Sequence, residues 1–152
     1  MAITFADAFM EVFKEIAKSD ALIVEPATDF EIKRCQRDLG DIDCVRLPKE
    51  YEKFLKFANG FAWNGFEFYG TYEVREKATG YVLKDIVGYN ERIVIDDHIL
   101  ILGTFDEDYY VWDAKEKRYR SLDRLTRMDV DEYESFEDLV METVGIYAAA
   151  DW

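Results

Sequence analysis

Acidic side chains dominate the chemistry available to this sequence. Three groups stand out: Asp96 and Asp97 beside His98, the run Asp106-Glu107-Asp108, and the stretch from Asp129 to Glu142, which holds seven acidic residues and no basic one. His98 is the only histidine, so neither a catalytic triad nor a multi-histidine metal centre can be built from this chain alone. Asp96, Asp97 and His98 offer metal-ligating atoms, but consecutive side chains of a strand point to opposite faces, and the expectation is a solvated turn without convergence. Asp106 to Asp108 lacks the spaced oxygen ligands and central glycine of a calcium loop and reads as a charged hairpin connection. No carboxylate pair sits in a recognisable apolar context that would separate an acid from a base, as glycoside hydrolysis requires. Gly60, Gly65 and Gly70 lack a following lysine and read as turn residues, not a phosphate loop, while Ser19, Ser121 and Ser135 lack nucleophile-elbow surroundings. No catalytic residue, metal ligand or cofactor is expected.

What remains is surface. Asp and Glu total 33 against 19 Lys and Arg, a net charge of -14. That balance disfavours binding to a phosphate backbone, which requires cationic side chains, and it suits a basic protein partner whose opposite potential steers encounter. Solubility alone is the competing explanation. Asp106, Glu107, Asp108, Asp129, Asp131, Glu132 and Glu134 are the acidic candidates for partner contact. Trp63 and Trp112 are candidate aromatic anchors, with Tyr69, Tyr109 and Tyr110 read mainly as core. Part of the Asp129 to Glu142 charge is also explained by complementing the positive end of a helix dipole.

The elements that must position these residues are written in periodicity and caps. Thr4 with Asp7 reads as a capping box opening a helix from Phe5 to Lys18, and Thr28 with Glu31 opens a second. The second helix turns Phe30, Ile32, Cys35 and Leu39 inward and stops at Gly40; Asp41 to Arg46 connects it to a third. In that third helix Pro48 sets the first turn and Leu47 staples Tyr51. Tyr51, Phe54, Leu55 and Ala58 form an apolar stripe, and Asn59-Gly60 supplies the stop. Aromatic residues from Phe61 to Tyr72 predict short strands. Lys77 to Gly80 reads as a loop, and Tyr81 to Asn90, ambiguous between periods, leans toward a helix. Ile99 to Leu102, closed by Gly103, predicts a central strand covered on both faces. Strands over Tyr109 to Asp113 and Arg118 to Leu122 form a hairpin, another strand lies between Arg124 and Tyr133, and a capping box of Ser135 with Asp138 opens the last helix. Helices first, an antiparallel sheet in the middle and a helix last make an α+β arrangement.

At 152 residues, 49% of them hydrophobic, the chain predicts a single domain over residues 1–152 with a core that needs no disulfides. Cys35 and Cys44, nine apart, fit neither a zinc site nor a secreted disulfide framework and read as reduced thiols. No stretch approaches the roughly 20 apolar residues of a membrane span, and no leader-like segment begins the chain, so a cytoplasmic protein is expected.

Leu47-Pro48, Tyr51, Phe54-Leu55 and Asn59-Gly60 resemble the "LPxxYxxFLxxxNG" helix of the SUKH superfamily, which includes fungal cell-wall-synthesis regulators and many bacterial immunity proteins. Phe68-Tyr69-Gly70, Tyr109 to Asp113, Tyr119 with Leu122-Asp123, and Ser135-Phe136 with Leu139 follow in the family's order, so the resemblance spans Thr28 to Val144. The segment between Tyr72 and Asp97 departs from it. The resemblance implies an α+β fold with helices flanking a sheet and a non-catalytic binding role, typically neutralisation of a toxin domain, often a nuclease. An acidic inhibitor suits that role, because a nuclease exposes cationic surface to hold phosphates. A regulatory scaffold without a toxin partner is the alternative. An enzyme would require titratable groups converging around His98 or Asp106 to Asp108.

Overall fold

The computed structural model describes residues 5–149, with side chains from residue 10 onward, so Thr4 and its capping box with Asp7 lie outside the described residues. Helix α1 (Phe5–Ile16) ends in a single 3-10 turn, and the two-residue strand β1 (Leu22–Ile23) follows. Next come α2 (Asp29–Asp41) and α3 (Lys49–Phe57), the hairpin of β2 (Phe61–Trp63) and β3 (Phe66–Phe68), a small two-stranded arm of β4 (Val74–Arg75) and β5 (Val82–Leu83), and α4 (Ile86–Arg92). Strands β6 (Ile99–Phe105), β7 (Asp108–Asp113), β8 (Arg118–Asp123) and β9 (Asp129–Tyr133) form a meander, closed by α5 (Phe136–Glu142) and α6 (Val144–Ala149). The main sheet is seven-stranded and antiparallel, in the order β1-β2-β3-β6-β7-β8-β9.

Both faces of the sheet are covered. On one, Phe54 of α3 meets Phe61 and Phe68 at ring-centroid distances of 6.0 and 6.4 Å, and Phe136 of α5 meets Tyr119 at 5.7 Å. On the other, Tyr89 of α4 stacks on Tyr69 at 4.6 Å and meets Tyr109 edge-on at 6.5 Å. Ile99 to Leu102 is therefore buried from both sides, as its unbroken apolar run predicts.

The caps follow local chemistry. Thr28 Oγ1 accepts from the Glu31 N–H at 3.1 Å and Glu31 Oε1 accepts from the Thr28 N–H at 2.9 Å, a complete capping box. Ser135 Oγ accepts from the Asp138 N–H at 3.0 Å, the side-chain half of the predicted box, and another open donor of the first turn, the Phe136 N–H, goes to Glu50 Oε2 of α3 at 3.3 Å. Burial raises the Glu50 carboxyl pKa.

Four local expectations are corrected by tertiary structure. Phe30 is 71% exposed, on the outer side of α2. Gly40 lies inside α2, and the left-handed residue after it is Asp43, φ 55°. Tyr81 to Asn90 is not one helix: β5 precedes α4, which starts at Ile86 with Asp85 as its cap, the Asp85 carboxylate accepting from the Gly88 N–H at 3.1 Å. Pro48 occupies the N-cap of α3, one position before the first turn. The two cysteines are free; burial, reinforced by Asp85, pushes the Cys35 thiol up to about 12.

Asn59 has a different job from the helix stop its residue type suggested. It is 1% exposed; its Oδ1 accepts from the Thr71 N–H at 2.7 Å and its Nδ2 donates to Thr71 Oγ1 at 2.8 Å. Gly70 must be glycine for this clasp to close, because a Cβ there would lie 2.2 Å from the Asn59 carbonyl oxygen. Asn59→Ala strands the buried Thr71 N–H and is expected to cost about 2–3 kcal/mol, lowering Tm by roughly 5–10 °C. A loss below about 0.5 kcal/mol in urea unfolding would show that water replaces the amide.

Candidate functional site

The two acidic runs, far apart in sequence, meet at one end of the sheet. Asp106 and Glu107 form the two-residue connection between β6 and β7, and Asp108 opens β7 directly opposite Asp123 of β8. Two carboxylates facing each other across a ladder repel. Ser121, two residues earlier on β8, is opposite Asp131 of β9. The pKa of the Asp108 carboxyl is raised first by partial burial and then by Asp123, Asp106, Glu107 and Asp131 in turn, so these five side chains share one electrostatic environment. Arg124, the adjoining base, donates to the backbone carbonyl of Asp106 at 3.1 Å and lies 5.4 Å over the Tyr109 ring; among the described residues it pairs with no rim carboxylate.

The remaining sequence candidates are placed elsewhere. Asp129 and Glu132 sit on the edge strand β9 and are engaged within the sheet. Arg120 reaches Asp129 at 3.3 Å, Glu132 at 3.8 Å and the buried Asp113 at 3.6 Å, and Arg118 reaches Glu132 at 2.8 Å. Glu134 is exposed in the link to α5. Trp63 is buried, its Nε1 donating to Ser19 Oγ at 3.1 Å, and Trp112 is half-buried against Tyr119 at 4.8 Å. Tyr69, Tyr109 and Tyr110 belong to the core.

Asp96, Asp97 and His98 do come together, against the expectation from strand alternation. They lie in the turn before β6, where their ligating atoms fall within 4.8 Å of one another. His98 Nδ1 is 3.2 Å from Asp97 and 3.6 Å from Asp96, while Nε2 faces Asp113 at 3.9 Å. The hydrogen bond with His98 holds the Asp97 carboxyl below its ordinary range. Both aspartates are exposed, which matches the solvated turn that was expected.

A second acidic feature escaped the sequence reading. Asp20, Glu67 and Glu76 line an open cavity of about 670 Å³ together with Leu22, Ala62 and Tyr81, between the β1-β2-β3 wing and the tip of the β4-β5 arm. Its carboxylates come from a 3-10 exit, a strand and a loop, so no window of sequence contains the group. Glu67 Oε2 accepts from the Tyr81 hydroxyl and Oε1 from Thr104 Oγ1 at 3.4 Å; Glu76 Oε1 accepts from Thr79 Oγ1 at 2.6 Å.

The description of the SMI1 / KNR4 family (SUKH-1) matches residues 26–140, well over half of the chain, and so includes the third helix, the sheet from β2 to β9 and most of α5. No curated protein matches the sequence. Among the described residues no helix is long and apolar enough to cross a membrane.

The crowding at Asp108 has a thermodynamic sign. Its carboxyl pKa is higher in the folded chain than in the unfolded one, so this group opposes folding once the pH rises above the ordinary aspartate range. Asp108→Asn is therefore expected to raise Tm at pH 7 by about 1–2 °C, a gain that shrinks with added salt and disappears on acidification below the unfolded aspartate pKa. A lower Tm at pH 7 would mean that the carboxylate is stabilised by a partner within the fold.

Proposed function

The chain belongs to the SMI1 / KNR4 family (SUKH-1), and from that premise we propose that it is an immunity-type binding protein that neutralises a basic toxin domain, without catalysis of its own. The observation that carries this reading is the rim of Asp106, Glu107, Asp108, Asp123 and Asp131, where two acidic segments distant in sequence are brought together at one end of the sheet and Asp108 lies opposite Asp123.

The chemistry is that of occupancy. A nuclease domain must present cations to hold its substrate's phosphates, and an anionic rim laid over those cations excludes the substrate. Opposite potentials steer the two surfaces together and raise the association rate by factors of 10 to about 1,000. Arg118 and Arg120 engage Asp129 and Glu132, so these two are less available to a partner than the acids of the β6-β7 connection. This agrees with a cytoplasmic site of action against a toxin delivered into the cell. A regulatory scaffold that recruits an endogenous protein would use the same surface with a different occupant.

The test is co-expression with candidate toxin domains, beginning with any toxin-like reading frame that neighbours the gene. Wild-type chain is expected to restore growth, Asp108→Lys with Asp131→Lys to abolish protection at unchanged fold and expression, and Asp41→Asn, a change on α2, to retain it. Protection by the doubly reversed variant, or none by the wild type, would refute the reading; capture of an endogenous, non-toxin protein through the same rim would favour the scaffold.

A further inference from the structure

We infer that the cavity between the β1-β2-β3 wing and the β4-β5 arm is a receptor for an arginine side chain presented by a partner protein. This goes beyond the rim, which acts through diffuse charge; the cavity has walls, a floor and fixed acceptors. Its lining contains three carboxylates, Asp20, Glu67 and Glu76, and no Lys, Arg or His. Among the described residues none of the three is in an ion pair, although Lys and Arg elsewhere engage Glu15, Asp29, Asp38, Glu73, Asp113, Asp129 and Glu132.

Three features select the occupant. Glu67 is held by Tyr81 and Thr104, and Glu76 by Thr79, so both carboxylates are oriented before anything binds, and binding loses little rotamer freedom in these acids. Hydroxyl donors satisfy only part of each carboxylate's acceptor capacity, leaving lone pairs for a charged donor. The floor of Leu22 and Ala62 suits an alkyl stem, and the exposed Tyr81 ring suits a planar cation stacked on it. A guanidinium combines both properties, with five donors in a rigid fork, where an ammonium offers a point charge. The cavity, about 670 Å³ and open to solvent on one side, leaves room for the turn that carries the arginine. The glutamates at this site keep their geometry in the absence of a cation because neutral hydroxyls hold them, an arrangement that a purely structural ion pair does not need.

The probe is N-acetyl-arginine amide, titrated at millimolar concentration into the full chain and followed by amide chemical shifts. N-acetyl-citrulline amide, the neutral isostere, is the control. The arginine probe is expected to shift saturably the amides of Gly65, Glu67, Gly80 and Tyr81, the citrulline probe to leave them in place, and Glu67→Gln with Glu76→Gln to weaken the arginine effect about tenfold or more. Glutamine keeps the acceptor for Tyr81, and unchanged shifts outside the cavity report an intact fold. Equal responses to the two probes, shifts spread over the whole acidic surface, or an unchanged response in the double glutamine variant would overturn the inference. The titration needs no toxin and is expected to be unaltered by Asp108→Lys with Asp131→Lys, so the cavity and the rim stand or fall separately.

Discussion

The sheet has a gap beside its central strand, and two buried side chains, Asn90 and Tyr51, reach into it. Strand β3 pairs with β6 only at Gly103 to Phe105, leaving the first half of β6 without a strand on that side. Asn90 of α4 takes the missing strand's place: its Oδ1 accepts from the Ile101 N–H at 2.8 Å and its Nδ2 donates to the Ile101 carbonyl at 2.9 Å. Tyr51 of α3, fully buried, donates its hydroxyl toward the carbonyls of Tyr69 at 2.6 Å and Leu102 at 3.2 Å, at the bulge between Ile101 and Gly103. Asn59 clasps Thr71 where the chain leaves β3. Backbone groups buried without partners would each cost about 1–3 kcal/mol; Asn90 satisfies both groups of Ile101, and the Leu102 carbonyl accepts from the Tyr69 N–H at 2.9 Å as well as from Tyr51, so the break in the ladder leaves these groups paired.

That break is what lets the chain leave the sheet after β3, project the β4-β5 arm, return through α4 and re-enter as the long central strand. Both acidic features follow from it. The arm's tip forms one wall of the cavity beside Glu67, and re-entry at Ile99 sets the β6-β7 connection, with Asp106 and Glu107, beside the turn of the β2-β3 hairpin. The rim and the cavity are therefore displayed on a frame tied by buried hydrogen bonds, which suits a surface that must meet a rigid partner with its charges already in place.

Much of this architecture was legible because it is local. Thr28 with Glu31, the stripe of Tyr51, Phe54 and Leu55, the run from Ile99 to Leu102 and the hairpin strands all carry their signals within a few residues. What failed to be legible depends on distant neighbours. Asn59 reads as a helix stop until Thr71 is beside it, and Phe30 reads as core until the helix is rotated by packing of Ile32, Cys35 and Leu39. Tyr81 to Asn90 fits either period, and which one wins is decided by β4, with which Val82 and Leu83 pair. The convergence of Asp96, Asp97 and His98 depends on a turn that periodicity does not announce. Of the site, Asp106, Glu107, Asp108 and Asp131 were nameable from charge alone, while Asp123 was not; that Asp129 and Glu132 are engaged by arginines, and that Glu67 and Glu76 line one cavity, follows only from sheet register and the path of the arm.

If the molecule works by laying fixed negative charge over a cationic surface, encounter with that surface must be driven by charge. The rate constant for association with a basic toxin domain against which the chain protects, measured across ionic strength, tests this most directly. The rate is expected to fall steeply, by about tenfold or more between roughly 50 and 300 mM salt, while dissociation changes much less. An association rate that stays flat over that range would contradict the account.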